Sequence, residues 1–136
     1  MARILVVEDN PANMKLAALL LRSVGHSVLS AIDAETGLTI ARSEHPDLIL
    51  MDIQLPGMDG LTATALLKQD PVTADIPVIA VTAMAMTADR QKTRDAGCDR
   101  YISKPLSYRE LYACIDGLLA ASAPSSDLLA TSAGQP

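Results

Sequence analysis

The chain has 136 residues and a formal net charge of −5, with a pI of about 4.8. That is about one domain, and it lacks the basic footprint of a DNA- or RNA-binding protein. Hydrophobic residues make up 49% and aromatics 2%, with no Phe and no Trp, so a core large enough to stand without disulfides or metals must be built from Leu, Ile, Val, Ala and Met.

Arg3 to Glu8 is a short, β-branched, almost wholly apolar run that fits a strand buried on both faces. Asn10-Pro11 predicts a helix start, with Asn as the cap and Pro at the first helical position. That helix runs to about Ser23 and Gly25 ends it. Ser27 to Ile32 is a second strand, Asp33 caps a helix ending near Ser43, and His45-Pro46 breaks it. Asp47 to Asp52 is another central-strand run that ends in a carboxylate. The segment from Leu55 to Gly60 has turn chemistry, and the helix after it reaches about Gln69. Ile76 to Thr82 is a fourth buried strand, Thr87 to Ala96 a polar helix closed by Gly97, and Arg100 to Ser103 a short fifth strand. Ser107 and Glu110 match a capping box, and Leu111, Ile115, Leu118 and Leu119 form one apolar stripe on the last helix. From Ser122 the composition shifts to Ala, Ser, Pro, Thr and Gly, so residues 1–121 form the expected domain and 122–136 an expected disordered tail.

No apolar run approaches the roughly 20 residues that span a bilayer. The first strand begins almost at once, which leaves no room for a signal peptide, and the expected location is the cytoplasm. Cys98 and Cys114 match no metal spacing and are expected to be buried thiols. His26 and His45 fall in connections, with no nucleophile or ligand cluster beside them in sequence.

Strands alternating with helices imply a doubly wound parallel α/β sheet of five strands and five helices with right-handed crossovers. Ligands of such sheets bind beyond the carboxyl ends of the strands. The first strand ends in Glu8-Asp9, the third in Asp52, the fourth in Thr82-Ala83 and the fifth in Lys104-Pro105. If the first and third strands are neighbours, Asp9 and Asp52 lie roughly 5 Å apart. Each like-charge pair near 4 Å costs about 4 kcal/mol at an effective dielectric of about 20, so the carboxylates call for a cation. An all-oxygen set suits Mg²⁺, which also takes phosphate oxygens. With the Lys104 ammonium and the Thr82 hydroxyl, the set describes a cup for a dianionic phosphoryl group with an Asp nucleophile at its base. Each feature alone is an ordinary cap, turn or loop; the signal lies in four strand ends carrying it together.

These residues resemble the receiver domain of two-component response regulators over residues 2 to about 121: Glu8-Asp9-Asn10, Met51-Asp52 with Pro56 to Gly60, Thr82-Ala83, and Lys104-Pro105. The resemblance implies a flavodoxin-like, CheY-like fold with strand order 2-1-3-4-5. It implies that Asp52 takes a phosphoryl group from a sensor histidine kinase or a histidine phosphotransfer protein. Mg²⁺ would be held by Asp9, Asp52 and the Gln54 backbone carbonyl, with Glu8 acting through water. Lys104 would pair with Asp52 and then the phosphate. Thr82 and the Ala83 N–H would bind the phosphate, and Tyr101 would be the switch aromatic. The Lys104-Pro105 bond is expected to be cis, and Gln54 and Met84 flank the pocket where the family tunes dephosphorylation.

Signal output is expected on the face of the fourth helix, fifth strand and fifth helix, around Arg90, Arg94, Tyr101, Arg109 and Tyr112, because the fourth helix has little apolar surface to hold it. In the family a kinase or phosphotransfer helix docks beside the first helix, where an exposed Met14 would be a small anchor. Within the family the short form looks closest to DivK-type cell-cycle receivers, with CheY-type regulators next and a phosphorelay intermediate as a further form. Without an attached DNA-binding domain, direct transcription control is not expected. The alternative is a Mg²⁺-dependent aspartyl-phosphate phosphatase, but such an enzyme needs an acid two residues after the nucleophile, where this chain has Gln54. A nucleotide-binding fold lacks its Gly-rich loop after the first strand.

Overall fold

The computed structural model describes residues 2–83 and 87–122; for 87–89 and 122 it describes the backbone alone. The elements are β1 (Arg3–Val7), α1 (Pro11–Ser23), β2 (Ser27–Ala31), α2 (Ala34–Glu44), β3 (Leu48–Asp52), α3 (Gly60–Gln69), β4 (Val78–Thr82), α4 (Thr87–Ala96), β5 (Arg100–Ser103) and α5 (Tyr108–Ser122). The five strands form one parallel sheet in the order β2-β1-β3-β4-β5, as expected.

Alternation along the strands builds two cores, one on each face of the sheet. Ile4, Val6, Leu48, Leu50, Ile79, Val81 and Ile102 face α1 and α5, where they meet Ala17, Leu21, Leu111, Ile115 and Leu118. Leu5, Val7, Ile49, Met51 and Val78 face α2 and α3, where they meet Ala34, Ala41, Ala63 and Leu67. Truncating one of these fully buried Leu or Ile side chains to Ala costs about 2–5 kcal/mol.

Local signals set the helix ends. The Asn10 side chain accepts from the Ala12 and Asn13 N–H groups, Asp33 accepts from Thr36 and Asp59 from Thr62, each closing off orphan donors of a first turn. Glu110 N–H donates to Ser107 Oγ at 3.4 Å. Gly97 closes α4 at φ 103°, and His45 takes a left-handed conformation ahead of Pro46.

Some expectations shift. The β1, β2 and β3 ladders each fall one residue short of the expected runs, and β4 starts at Val78 rather than Ile76; Pro77 has no N–H to give, although its carbonyl accepts from Ile49. Cys98 and Cys114 are half-buried rather than buried, since Cys98 sits in the connection after α4 and Cys114 on the edge of the α5 stripe. Met14 is no exposed anchor; it packs against the core, and the large hydrophobic residues that α1 exposes are Leu16 and Leu19. Ser122 is the last residue of α5, and the rest of the expected tail lies outside the described residues. Met84 lies outside them too.

Candidate functional site

Strand parity decides which strand-end side chains meet. Glu8 continues the alternation of Ile4 and Val6, Asp52 that of Leu48 and Leu50, and Lys104 that of Ile102. All three therefore emerge on the α1/α5 side of the sheet. The pairing of Val7 with Met51 brings the β1 and β3 tips level, and the backbone bonds Glu8 to Ala31, Ile53 to Val81 and Lys104 to Thr82 carry the strand directions past the ladders.

The result is a compact charged cluster. Lys104 Nζ lies 3.2 Å from Glu8 Oε1 and 3.3 Å from Asp52 Oδ2. The two carboxylates are built alike. Each gives one oxygen to Lys104 and the other to the N–H two residues on, Asn10 to Glu8 Oε2 at 3.1 Å and Gln54 to Asp52 Oδ1 at 3.0 Å. Carboxylate oxygens of Glu8, Asp9 and Asp52 lie within 4.8 Å of one another. Glu8 and Asp52 are buried, 6% and 3% exposed, whereas Asp9 is open to solvent.

The electrostatics follow from that crowding. Burial pushes the Glu8 carboxyl above its usual range; the Asn10 N–H and Lys104 pull it down, and Asp52 pushes it further up. Burial alone would lower the Lys104 ammonium, but the charges of Asp52 and Glu8 outweigh burial and hold it above the ordinary lysine value. One ammonium thus pairs with two of three clustered carboxylates, leaving an excess of negative charge beside a solvent-open oxygen donor. The donor set, three carboxylates with no nitrogen or sulfur ligand, fits a hard divalent cation such as Mg²⁺.

Gly60 holds the loop from β3 to α3 tight. Its N–H donates to the Ile53 carbonyl, and a Cβ there would fall 2.2 Å from the Asp52 carbonyl oxygen. The same tight turn presents the Gln54 side chain to β4, and its Oε1 accepts from the Ala83 N–H at 3.0 Å. Thr82 is buried at the tip of β4, and the Lys104-Pro105 bond is cis, as expected. Tyr101 lies half-buried on β5 with the Arg90 guanidinium over its ring, 5.5 Å from the centroid. Sequence reasoning missed the direct Glu8–Lys104 pair and the Gln54–Ala83 bond. The first was legible from strand parity; the second joins two loops and left no local signal.

The family model described as the response regulator receiver domain matches residues 4–116. The chain belongs to the response regulator receiver domain family. Curated relatives of this receiver domain include the polar-differentiation response regulator DivK of Brucella ovis, 49% identical over 104 residues that cover 76% of this chain and 85% of the relative. DivK of Brucella anthropi is 48% identical over the same shares. Among solved structures, the receiver domain of a sensor histidine kinase from Pseudomonas aeruginosa PAO1, with a magnesium ion coordinated in its active-site cleft, superposes at a TM-score of 0.82. It is 34% identical, over 88% of this chain and 98% of that one. A CheY-like receiver domain protein from Methanospirillum hungatei JF-1 gives 0.82 at 30% identity, over 89% and 95%. Receiver domains of response regulators accept a phosphoryl group on an Asp with Mg²⁺ and interact with histidine kinases or phosphotransfer proteins. Among the described residues, no helix is long and apolar enough to cross a membrane.

Proposed function

We propose that Asp52 of this receiver domain is the phosphoryl acceptor, supplied by a sensor histidine kinase or a histidine phosphotransfer protein. The observation that carries this is the setting of the Asp52 carboxylate: buried, tied at one oxygen to the Gln54 N–H and at the other to Lys104, and within 4.8 Å of the Glu8 and Asp9 oxygens. An Asp52 oxygen attacks phosphorus; the phosphorus–nitrogen bond of the donor phosphohistidine breaks and its electron pair returns to the imidazole. Lys104, already 3.3 Å away, stabilises the charge on the phosphoryl oxygens. Asp9, Asp52 and the Gln54 carbonyl would hold Mg²⁺, with Glu8 acting through water, and the ion would neutralise phosphoryl charge. Thr82 and the Ala83 N–H bind the phosphoryl group once it is in place.

The product is a changed affinity at the α4–β5–α5 face, with Tyr101 as the switch residue, in DivK-like cell-cycle or phosphorelay signalling within the cytoplasm. The chain catalyses only its own phosphorylation and dephosphorylation. Gln54 supports that restriction, because an amide two residues after the acceptor cannot act as the general acid of an aspartyl-phosphate phosphatase. The receiver unit spans residues 1–121, with 122–136 as a tail. The test is intact mass after incubation with acetyl phosphate and Mg²⁺. One phosphoryl adduct is expected in the wild type and none in Asp52→Asn or without Mg²⁺; an adduct that survives Asp52→Asn refutes the assignment.

A further inference from the structure

The chain is acidic overall, at −5, yet one cleft is basic. A cavity of about 360 Å³ opens between α4, β5 and the start of α5, away from the carboxylate cluster, and gathers Arg90, Arg94 and Arg100 beside Tyr101. Arg90 and Arg94 are four residues apart on α4 and share one face of the helix. Arg90 is steadied by the Tyr101 ring. Among the described residues, the positive ends of the ion pairs are Arg3, Arg42, His45, Lys68 and Lys104, and none of these three arginines. Two carboxylates border the cleft. Asp99 is already taken by Lys68 at 3.1 Å and the Val78 N–H at 2.8 Å, which leaves Glu110 as the other carboxylate of the lining.

We propose that this cleft docks a carboxylate-rich segment of a protein partner. The inference deepens the functional reading above and rests on it for the link to phosphorylation. Guanidinium forks match planar carboxylates bidentately, and carboxylates spaced along a peptide can engage the three arginines one by one. A polyphosphate concentrates more charge than a lining of three arginines and two carboxylates balances, and the Tyr101 face that could stack a base already carries Arg90.

The test uses the full ¹⁵N-labelled chain titrated with a synthetic peptide of alternating Glu and Ala, followed by amide chemical shifts. Perturbations are expected to cluster between residues 90 and 101. Affinity is expected to fall about tenfold or more in the exposed double variant Arg90→Glu/Arg94→Glu, and in wild type on raising salt from about 50 to about 300 mM. Scattered perturbations, an unchanged affinity in the double variant, or tighter binding of inorganic pyrophosphate at the same residues overturns the proposal. The Asp52 mass adduct, measured on the same samples, separates the two readings. An adduct without peptide binding overturns the docking cleft alone; peptide binding without an adduct overturns the phosphoryl reading alone.

Discussion

The Gln54 side-chain oxygen accepts a hydrogen bond from the Ala83 backbone N–H at 3.0 Å, so the donor assigned to the phosphoryl group is already engaged. If Ala83 serves the phosphoryl group as proposed, phosphorylation has to displace Gln54 first. Gln54→Ala removes the competitor while keeping the backbone carbonyl. Beryllofluoride with Mg²⁺, a stand-in for the phosphoryl group, is expected to bind it about 2- to 10-fold more tightly than wild type, the equivalent of one net hydrogen bond. Calorimetric titration of both proteins checks this, and an unchanged or weaker affinity counts against it.

Among the described residues, Lys104 is the one cation that Glu8 and Asp52 share. Lys104→Met leaves two buried carboxylates facing each other. Melting in chelator should show a loss of about 1–3 kcal/mol, and millimolar Mg²⁺ should recover most of it. A variant as stable as wild type in chelator would show that the pair carries no net stability.

Gly60 sits where any Cβ would overlap the Asp52 carbonyl oxygen. The obstacle is backbone, so no side-chain rotation relieves it. Gly60→Ala is expected to cost at least about 2 kcal/mol and to weaken Mg²⁺ binding by displacing the β3–α3 loop. Urea unfolding and Mg²⁺ titration of the same variant measure both effects, and wild-type values in each would show that the loop yields freely.

Asp33 caps α2, and the Thr36 backbone N–H and then its hydroxyl hold its carboxyl below the usual range. A lowered folded-state value means that the cap's contribution is complete above the unfolded carboxyl pKa of about 3.9 and disappears as pH falls through the folded value. Asp33→Ala should therefore melt below wild type at neutral pH, and the gap should close under acid. A gap independent of pH would show that the charge of the cap plays no part.

Much of this was legible in the sequence, for identifiable reasons. Asn10, Asp33, Asp59 and Gly97 act through neighbours a few residues away, so the helix ends could be read locally. Ile76 shows the limit. It is apolar and fully buried, but it packs without joining a ladder, because burial is a property of the side chain and pairing of the backbone. The carboxylate cluster could be foreseen because its members stand at the carboxyl ends of two strands, Glu8 and Asp9 after β1 and Asp52 at the tip of β3. The Gln54–Ala83 bond and the arginine cleft could not, since both depend on how segments distant in sequence are brought side by side.

Among the α4 residues whose side chains are described, only Thr93 is buried. With one buried side chain among those described, α4 is held by little packing, and alternative positions of such a helix would differ by about the worth of one or two hydrogen bonds. Free energies of that size add, and each kcal/mol supplied shifts the population ratio by about fivefold. The element that carries Arg90 and Arg94 would then work as a dimmer rather than a relay. Partial phosphorylation, a bound partner or a single surface substitution would each set an intermediate level of output, and their effects would add.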